Sequence, residues 1–199
     1  MTTTSRRAHP GGPALALKAA ALSLLVLATT SGSALAESAA AYMQRVANQL
    51  IAAQREGGEN DYATVLRSHA DVPAIAITAL GSYAQSLAKS DRPAYYAGMI
   101  NFIANYASRE GPKFPVARAV MTGQTQETAK GIYIDSRVTL VSGDVYDVRW
   151  LIVRRGSAFK VREAEVLGFE MTTFLDTAFQ NYIGANGGDP RSLVVALNR

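Results

Sequence analysis

The chain of 199 residues contains no cysteine. That absence excludes disulfides, thiolate catalysis and cysteine-based metal sites, and it removes the acylation point that a lipoprotein needs. Histidine is scarce: only His9 and His69 occur, and His9 lies in the N-terminal segment that is expected to be removed, so no histidine pair would remain to hold a metal. There is no GxGxxG and no phosphate-binding P-loop pattern. Long apolar runs are missing too. The run Ala19–Ala28 spans ten residues and includes one serine, whereas a membrane-crossing helix needs about 20 apolar residues. Charge of one sign is also lacking once the N-terminus is set aside. Residues 1–36 carry Arg6, Arg7 and Lys18 and no acid, which leaves seventeen basic residues against sixteen acidic ones in the remainder. The basic character of the whole chain is therefore concentrated in its first segment. It gives no basic stripe of the kind that nucleic-acid binding requires.

A charged start, a short apolar run and the small-residue ending Ala34-Leu35-Ala36 have the pattern of a secretory signal peptide. The expectation is a signal peptide over 1–36, cleavage after Ala36 and a mature domain over 37–199 released into the periplasm. Arg6-Arg7 raises the twin-arginine route beside the general one. The remaining 163 residues suffice for one domain with a substantial core.

From Ser38 to Glu110 the apolar residues recur at helical spacing. Tyr42, Met43, Val46 and Leu50 mark a first helix that Gly57-Gly58 stops. Asn60 or Asp61 is positioned to cap a second. Asp71 is positioned to cap a third that carries Ile75 and Leu80, and a fourth follows Pro93 with Met99, Phe102, Ile103 and Tyr106. After Gly111-Pro112 the period changes. Val116–Gln126, Gly131–Val141, Val145–Arg155 and Ala158–Val166 are rich in β-formers and separated by Ser142-Gly143-Asp144 and Arg155-Gly156-Ser157, which predicts antiparallel hairpins. The third run places Tyr146, Val148, Trp150 and Ile152 on one face. Helical spacing returns through Phe174, Leu175, Phe179 and Ile183, and Asp189-Pro190 opens a last short helix. The pattern predicts an α+β fold: a four-stranded antiparallel curled sheet with helices packed on one face.

Catalytic patterns are sparse. A lone His69 near a helix end suits a capping or surface role. Asp135 shares strand parity with Tyr133, and an inward Asp–Tyr pair could serve an isomerase-like site. The spacing favours the simpler reading, in which Asp135, Asp147 and their neighbours pair with Arg137, Arg149 and Arg162 on the solvent face. The expectation is a protein that is not an enzyme and needs no cofactor. What stands out is apolar surplus in the sheet and the segment after it: Val120, Ile132, Ile134, Tyr146, Val148, Trp150 and Ile152, then Leu167, Phe169, Met171, Phe174 and Leu175. A filled core and a lined cavity give the same periodicity.

Several ordered segments resemble the MlaC family of periplasmic phospholipid-binding proteins. Asp71-Val72-Pro73-Ala74-Ile75-Ala76 with Leu80-Gly81 is similar to its D-V-P-x-I/M-A…L-G helix. Tyr106-Ala107 matches its Y-A, Tyr146–Val153 its third strand, Phe159–Glu163 its W-K-V-Y-D strand, and Asn186-Gly187-Gly188 its N-G-G ending. The chain departs at Glu170, Asp176 and Ala178, where the family has Ser, Arg and Glu, and at Phe159 and Arg162. The resemblance implies an apolar pocket for lipid chains. Ile75, Leu80, Met99, Phe102, Ile103 and Tyr106 would contribute from the helices, together with the sheet and corner residues just named. It implies a soluble phospholipid carrier that exchanges cargo with an inner-membrane ABC transporter complex and an outer-membrane lipoprotein complex. A hopanoid or another small hydrophobic ligand is the alternative cargo.

Overall fold

The computed structural model describes residues 37–199; the expected signal peptide lies outside the described residues. Six α-helices and five strands follow in the order α1 (Ala39–Glu56), α2 (Glu59–His69), α3 (Val72–Ala79), α4 (Arg92–Glu110), β1 (Val116–Thr128), β2 (Gly131–Leu140), β3 (Val145–Arg155), β4 (Ala158–Val166), β5 (Phe169–Glu170), α5 (Met171–Ala185) and α6 (Arg191–Leu197). The α+β class and the helix–sheet–helix order match the expectation. The sheet does not: it is an open five-stranded antiparallel meander in the order β1-β2-β3-β4-β5, not a four-stranded curled sheet. β5 has two residues, too few for an alternating pattern to register. Curl depends on how strands twist and close, which alternation does not encode.

Ser38 caps α1 through its hydroxyl, which accepts from the Ala41 N–H at 3.1 Å, and Gly57 ends the helix in the left-handed conformation at φ +76°. Asp71 departs from its expected role. It precedes α3 but makes no side-chain cap, because its carboxylate is taken by Arg155 and Arg162 of the sheet at 3.0 and 2.8 Å. The cap position of α2 is held by Gly58, not by Asn60 or Asp61, which fall within the helix.

Two separate apolar clusters form. One is helical, where Leu80, Tyr95, Met99, Leu175, Phe179 and Ile183 of α3, α4, α5 and neighbouring turns are closed off from solvent. The Tyr95 hydroxyl donates to the Ala76 carbonyl at 2.9 Å inside it. The other lies between α1 and the sheet, where Tyr42, Met43 and Val46 pack on Ile132, Ile134, Ile152 and Phe159. Leu50 touches both. The opposite face of the sheet carries the exposed pairs Arg137–Asp147 and Arg149–Asp135.

β4 is joined to β5 by a two-residue turn, Leu167-Gly168, with φ of +54° and +83°. Both values being positive suits Asn-Gly far better than a leucine. Leu167 is 64% exposed, so burial does not offset the strain of the left-handed conformation. Leu167→Asn is expected to raise stability by about 1 kcal/mol, read as a higher urea midpoint. An unchanged or lower midpoint would mean that the leucine makes a compensating apolar contact.

Candidate functional site

The seam between helices and sheet is where the two cores fail to merge. A partly open apolar cleft of about 130 Å³ lies there. Its helical wall is built by Leu50, Val65, Leu66, Ile75, Ile103 and Leu175; its sheet wall is Trp150, Val161 and Ala164. Two features hold the sheet wall in place. The Trp150 indole N–H donates to the Ser136 hydroxyl at 2.8 Å. Ser136, fully buried, donates in turn to the Val148 carbonyl at 3.3 Å. This chain of donors leaves the indole ring free to present an apolar surface.

One end of the cleft is closed by polar contacts. Asp71 N–H donates to the Val161 carbonyl at 2.8 Å, and Ala70 pairs with Val161 as an isolated parallel bridge. The link between α2 and α3 thus covers part of the free edge of β4. Burial opposes ionisation of Asp71, but hydrogen bonds from Arg162 and Arg155, with their charges, outweigh it and hold the carboxyl below the usual carboxylate range. Nearby, Glu163 receives the backbone N–H groups of Ala164 and Thr172 at 3.0 and 3.1 Å, and the Thr172 hydroxyl donates to its second oxygen. That carboxylate ties β4 to the first turn of α5, a favourable place for negative charge.

His69 also lines the cleft. Its Nε2 lies 2.6 Å from Gln49 Oε1 and its Nδ1 3.2 Å from the Tyr42 hydroxyl. The neutral Nε2–H tautomer satisfies both: Nε2–H donates to Gln49, and Nδ1 accepts from Tyr42. Burial first, then the charges of Arg45 and Lys160, pushes its pKa below the ordinary 6.5. Burial also pushes the Tyr42 phenol up to about 12. The imidazole is a structural link in this wall.

These two groups set a pH dependence. Native His69 stays neutral where the unfolded chain begins to protonate, so stability falls as pH drops through about 6.5. Native Asp71 stays ionised where the unfolded carboxyl protonates, so a further loss begins near 3.8 and continues below it. Urea midpoints should therefore fall from pH 8 to pH 5. His69→Gln should flatten that limb and leave the acid limb intact. A flat wild-type profile over pH 5–8 would contradict the assignment.

Of the residues expected to line a pocket, the structure brings Ile75, Ile103, Trp150, Met171 and Leu175 together around the cleft. Leu80 and Met99 are buried in the helical core, with Phe102 packed against it. Ile132, Ile134 and Ile152 are buried under α1. Val148 is buried and Tyr146 half-buried on β3. Val120 is exposed and pairs with Arg137 on the outer part of the sheet. Leu167, Phe169 and Phe174 are exposed at the β4–β5–α5 corner, and Tyr106 stacks on Phe174 there. Phe169 and Phe174 line an open groove of about 700 Å³. It is larger than the cleft, but its walls are mostly exposed, so it offers little burial. Sequence reasoning missed Leu50, Val65, Leu66, Ala70, Val161 and Ala164 as cleft residues, because periodicity marks an apolar face without showing which of its positions border a gap. Asp135 does not form an inward pair with Tyr133: it is half exposed and held by Arg149 at 2.8 Å.

No family model and no curated protein matches this sequence. Among solved structures, the chain is similar to the phospholipid-binding protein of Ralstonia solanacearum, determined in complex with a phospholipid. The match has a TM-score of 0.66 and 14% sequence identity, and it covers 81% of this chain and 96% of that one; at that identity the likeness is one of fold.

Proposed function

We propose that this chain is a periplasmic phospholipid carrier and performs no chemistry. The observation that carries the reading is the apolar cleft between helices and sheet, lined by Leu50, Ile75, Ile103, Trp150 and Leu175. Its placement in a fold shared with a protein solved around a phospholipid supports the reading. So do the export pattern of residues 1–36 and the resemblance of the D-V-P helix and the third strand to MlaC proteins.

Each methylene withdrawn from water contributes about 0.8 kcal/mol, so a two-chain lipid resists free passage through water by on the order of 20 kcal/mol. A carrier needs an interior that can replace the bilayer. At about 130 Å³ the cleft is comparable to an engineered cavity that accepts benzene, enough for part of one chain. Loading a diacyl lipid then requires α3 and α5 to move off β4. The polar contacts that would part are Asp71–Arg162, Glu163–Thr172 and the backbone pairing of Ala70 and Asp71 with Val161. Handover to an inner-membrane transporter complex and an outer-membrane lipoprotein complex completes the proposed cycle.

Native mass spectrometry of the purified protein tests this. One diacyl phospholipid per chain is expected. A polycyclic ligand would replace phospholipid as the cargo, and a chain that stays empty after incubation with phospholipid vesicles would reject the carrier reading.

A further inference from the structure

On the other side of β4 from the cleft lies a polar basin of about 390 Å³. Lys130, Arg149 and Arg162 line it, and so do Glu163, Glu165 and Glu170. Cleft and basin share Arg162, Glu163 and Thr172. The partition between an apolar space and a charged one is therefore made of polar contacts able to exchange partners.

The charges in the basin are unevenly matched. Strand register sets Asp135, Arg149, Glu165 and Glu170 side by side across β2, β3, β4 and β5. The row holds one guanidinium and three carboxylates, with Arg149 paired to Asp135, and Glu165 lies directly opposite Glu170, an arrangement that destabilises a strand pair. At the cationic side, Lys130 makes no ion pair among the described residues. Arg162 shares Asp71 with Arg155. It can therefore turn to another anion while the buried Asp71 keeps Arg155.

We propose that this basin is a headgroup site for a zwitterionic phosphodiester, with Arg162 and Lys130 holding the phosphate and Glu165 and Glu170 the ammonium. The assignment rests on the carrier reading, since the lipid's chains would lie across the same partition in the cleft. A guanidinium fork matches two phosphate oxygens. An ammonium group between Glu165 and Glu170 removes their repulsion. An anionic headgroup without an amine satisfies only the cationic side and leaves the two carboxylates facing negative charge, which discriminates against it.

The test uses lipid-stripped full-length mature protein incubated with vesicles that contain equal amounts of phosphatidylethanolamine and phosphatidylglycerol of identical acyl chains. Bound lipids are counted by mass spectrometry. About tenfold enrichment of the ethanolamine lipid is expected, the ratio given by one well-placed charged hydrogen bond. The pair Glu165→Gln with Glu170→Gln should bring the ratio close to even. It removes a like-charge contact, so it should not unfold the chain. Lys130→Gln, at an exposed position, should lower uptake of both lipids. Arg137→Gln, outside the basin, should leave the enrichment as in wild type. Uptake at the vesicle ratio by wild type, or enrichment that survives the double glutamate change, overturns the headgroup site while the carrier reading stands. Absence of either lipid overturns both. Excess glycerophosphoethanolamine, which has no chains, should not displace the lipid; efficient displacement would identify the ligand as a small phosphate ester and overturn the proposal.

Discussion

Val65→Phe is expected to lower the phospholipid that co-purifies with the protein by tenfold or more while the chain stays folded. Val65 is half-buried on α2 and borders the cleft. A phenyl ring there occupies space that the proposed acyl chain would use. In a well-packed core the same enlargement costs about 1–3 kcal/mol through forced rotamers and backbone shifts. In a cleft of about 130 Å³ it regains contacts that the lining atoms lack, so stability should hold or rise by about 1 kcal/mol. Ala164→Phe approaches from the sheet side beside Trp150 and should act alike. The measurements are lipid per folded chain by native mass spectrometry and the urea midpoint. A lower midpoint with lipid per folded chain unchanged would show that the cleft closes in solution and that the ligand lies elsewhere.

Asp71→Ala should destabilise the fold by about 2–3 kcal/mol. Breaking a buried ion pair typically costs 3–5 kcal/mol because a charge is left without a partner. Here the carboxylate is the buried member, with a side chain 5% exposed, while Arg155 and Arg162 are 53% and 32% exposed and can turn to water. That access reduces the loss. For a domain of this size the change corresponds to roughly 5–10 °C in Tm. Arg155→Gln or Arg162→Gln alone should each cost about 1 kcal/mol, since the other guanidinium stays on the carboxylate. The two together should cost more than the sum. A Tm loss below about 2 °C for Asp71→Ala would show that solvent screens the cluster and that the tie between α3 and the sheet lies in the backbone contacts of Ala70 and Asp71 to Val161.

Asp71 also shows where local reasoning stops. Its position before α3 reads as a cap, because an aspartate there usually accepts from the helix's own first turn. Two arginines from strands more than eighty residues away offer charged donors, and a charged pair is the stronger partner. Trp150 illustrates the converse. Alternation along β3 already places it with Val148 and Ile152, and in the structure the three share a face as that period requires.

The sequence by itself determined the elements apart from β5. The 3.6-residue period, the glycines that stop α1 and the turns after β2 and β3 are local, and each is written in a stretch shorter than twenty residues. It also excluded thiol chemistry and disulfides, since the chain has no cysteine. Only the tertiary structure decided which apolar residues fill a core and which border a cleft. Ile75 lies on α3 and Leu80 directly follows its last residue, both with similar apolar character, yet Leu80 is sealed in the helical core while Ile75 borders the cleft beside β4. That difference depends on how far α1 to α5 approach a sheet formed later in the chain. Periodicity reports which face of an element avoids water; the distance at which a second face meets it is set by packing between elements.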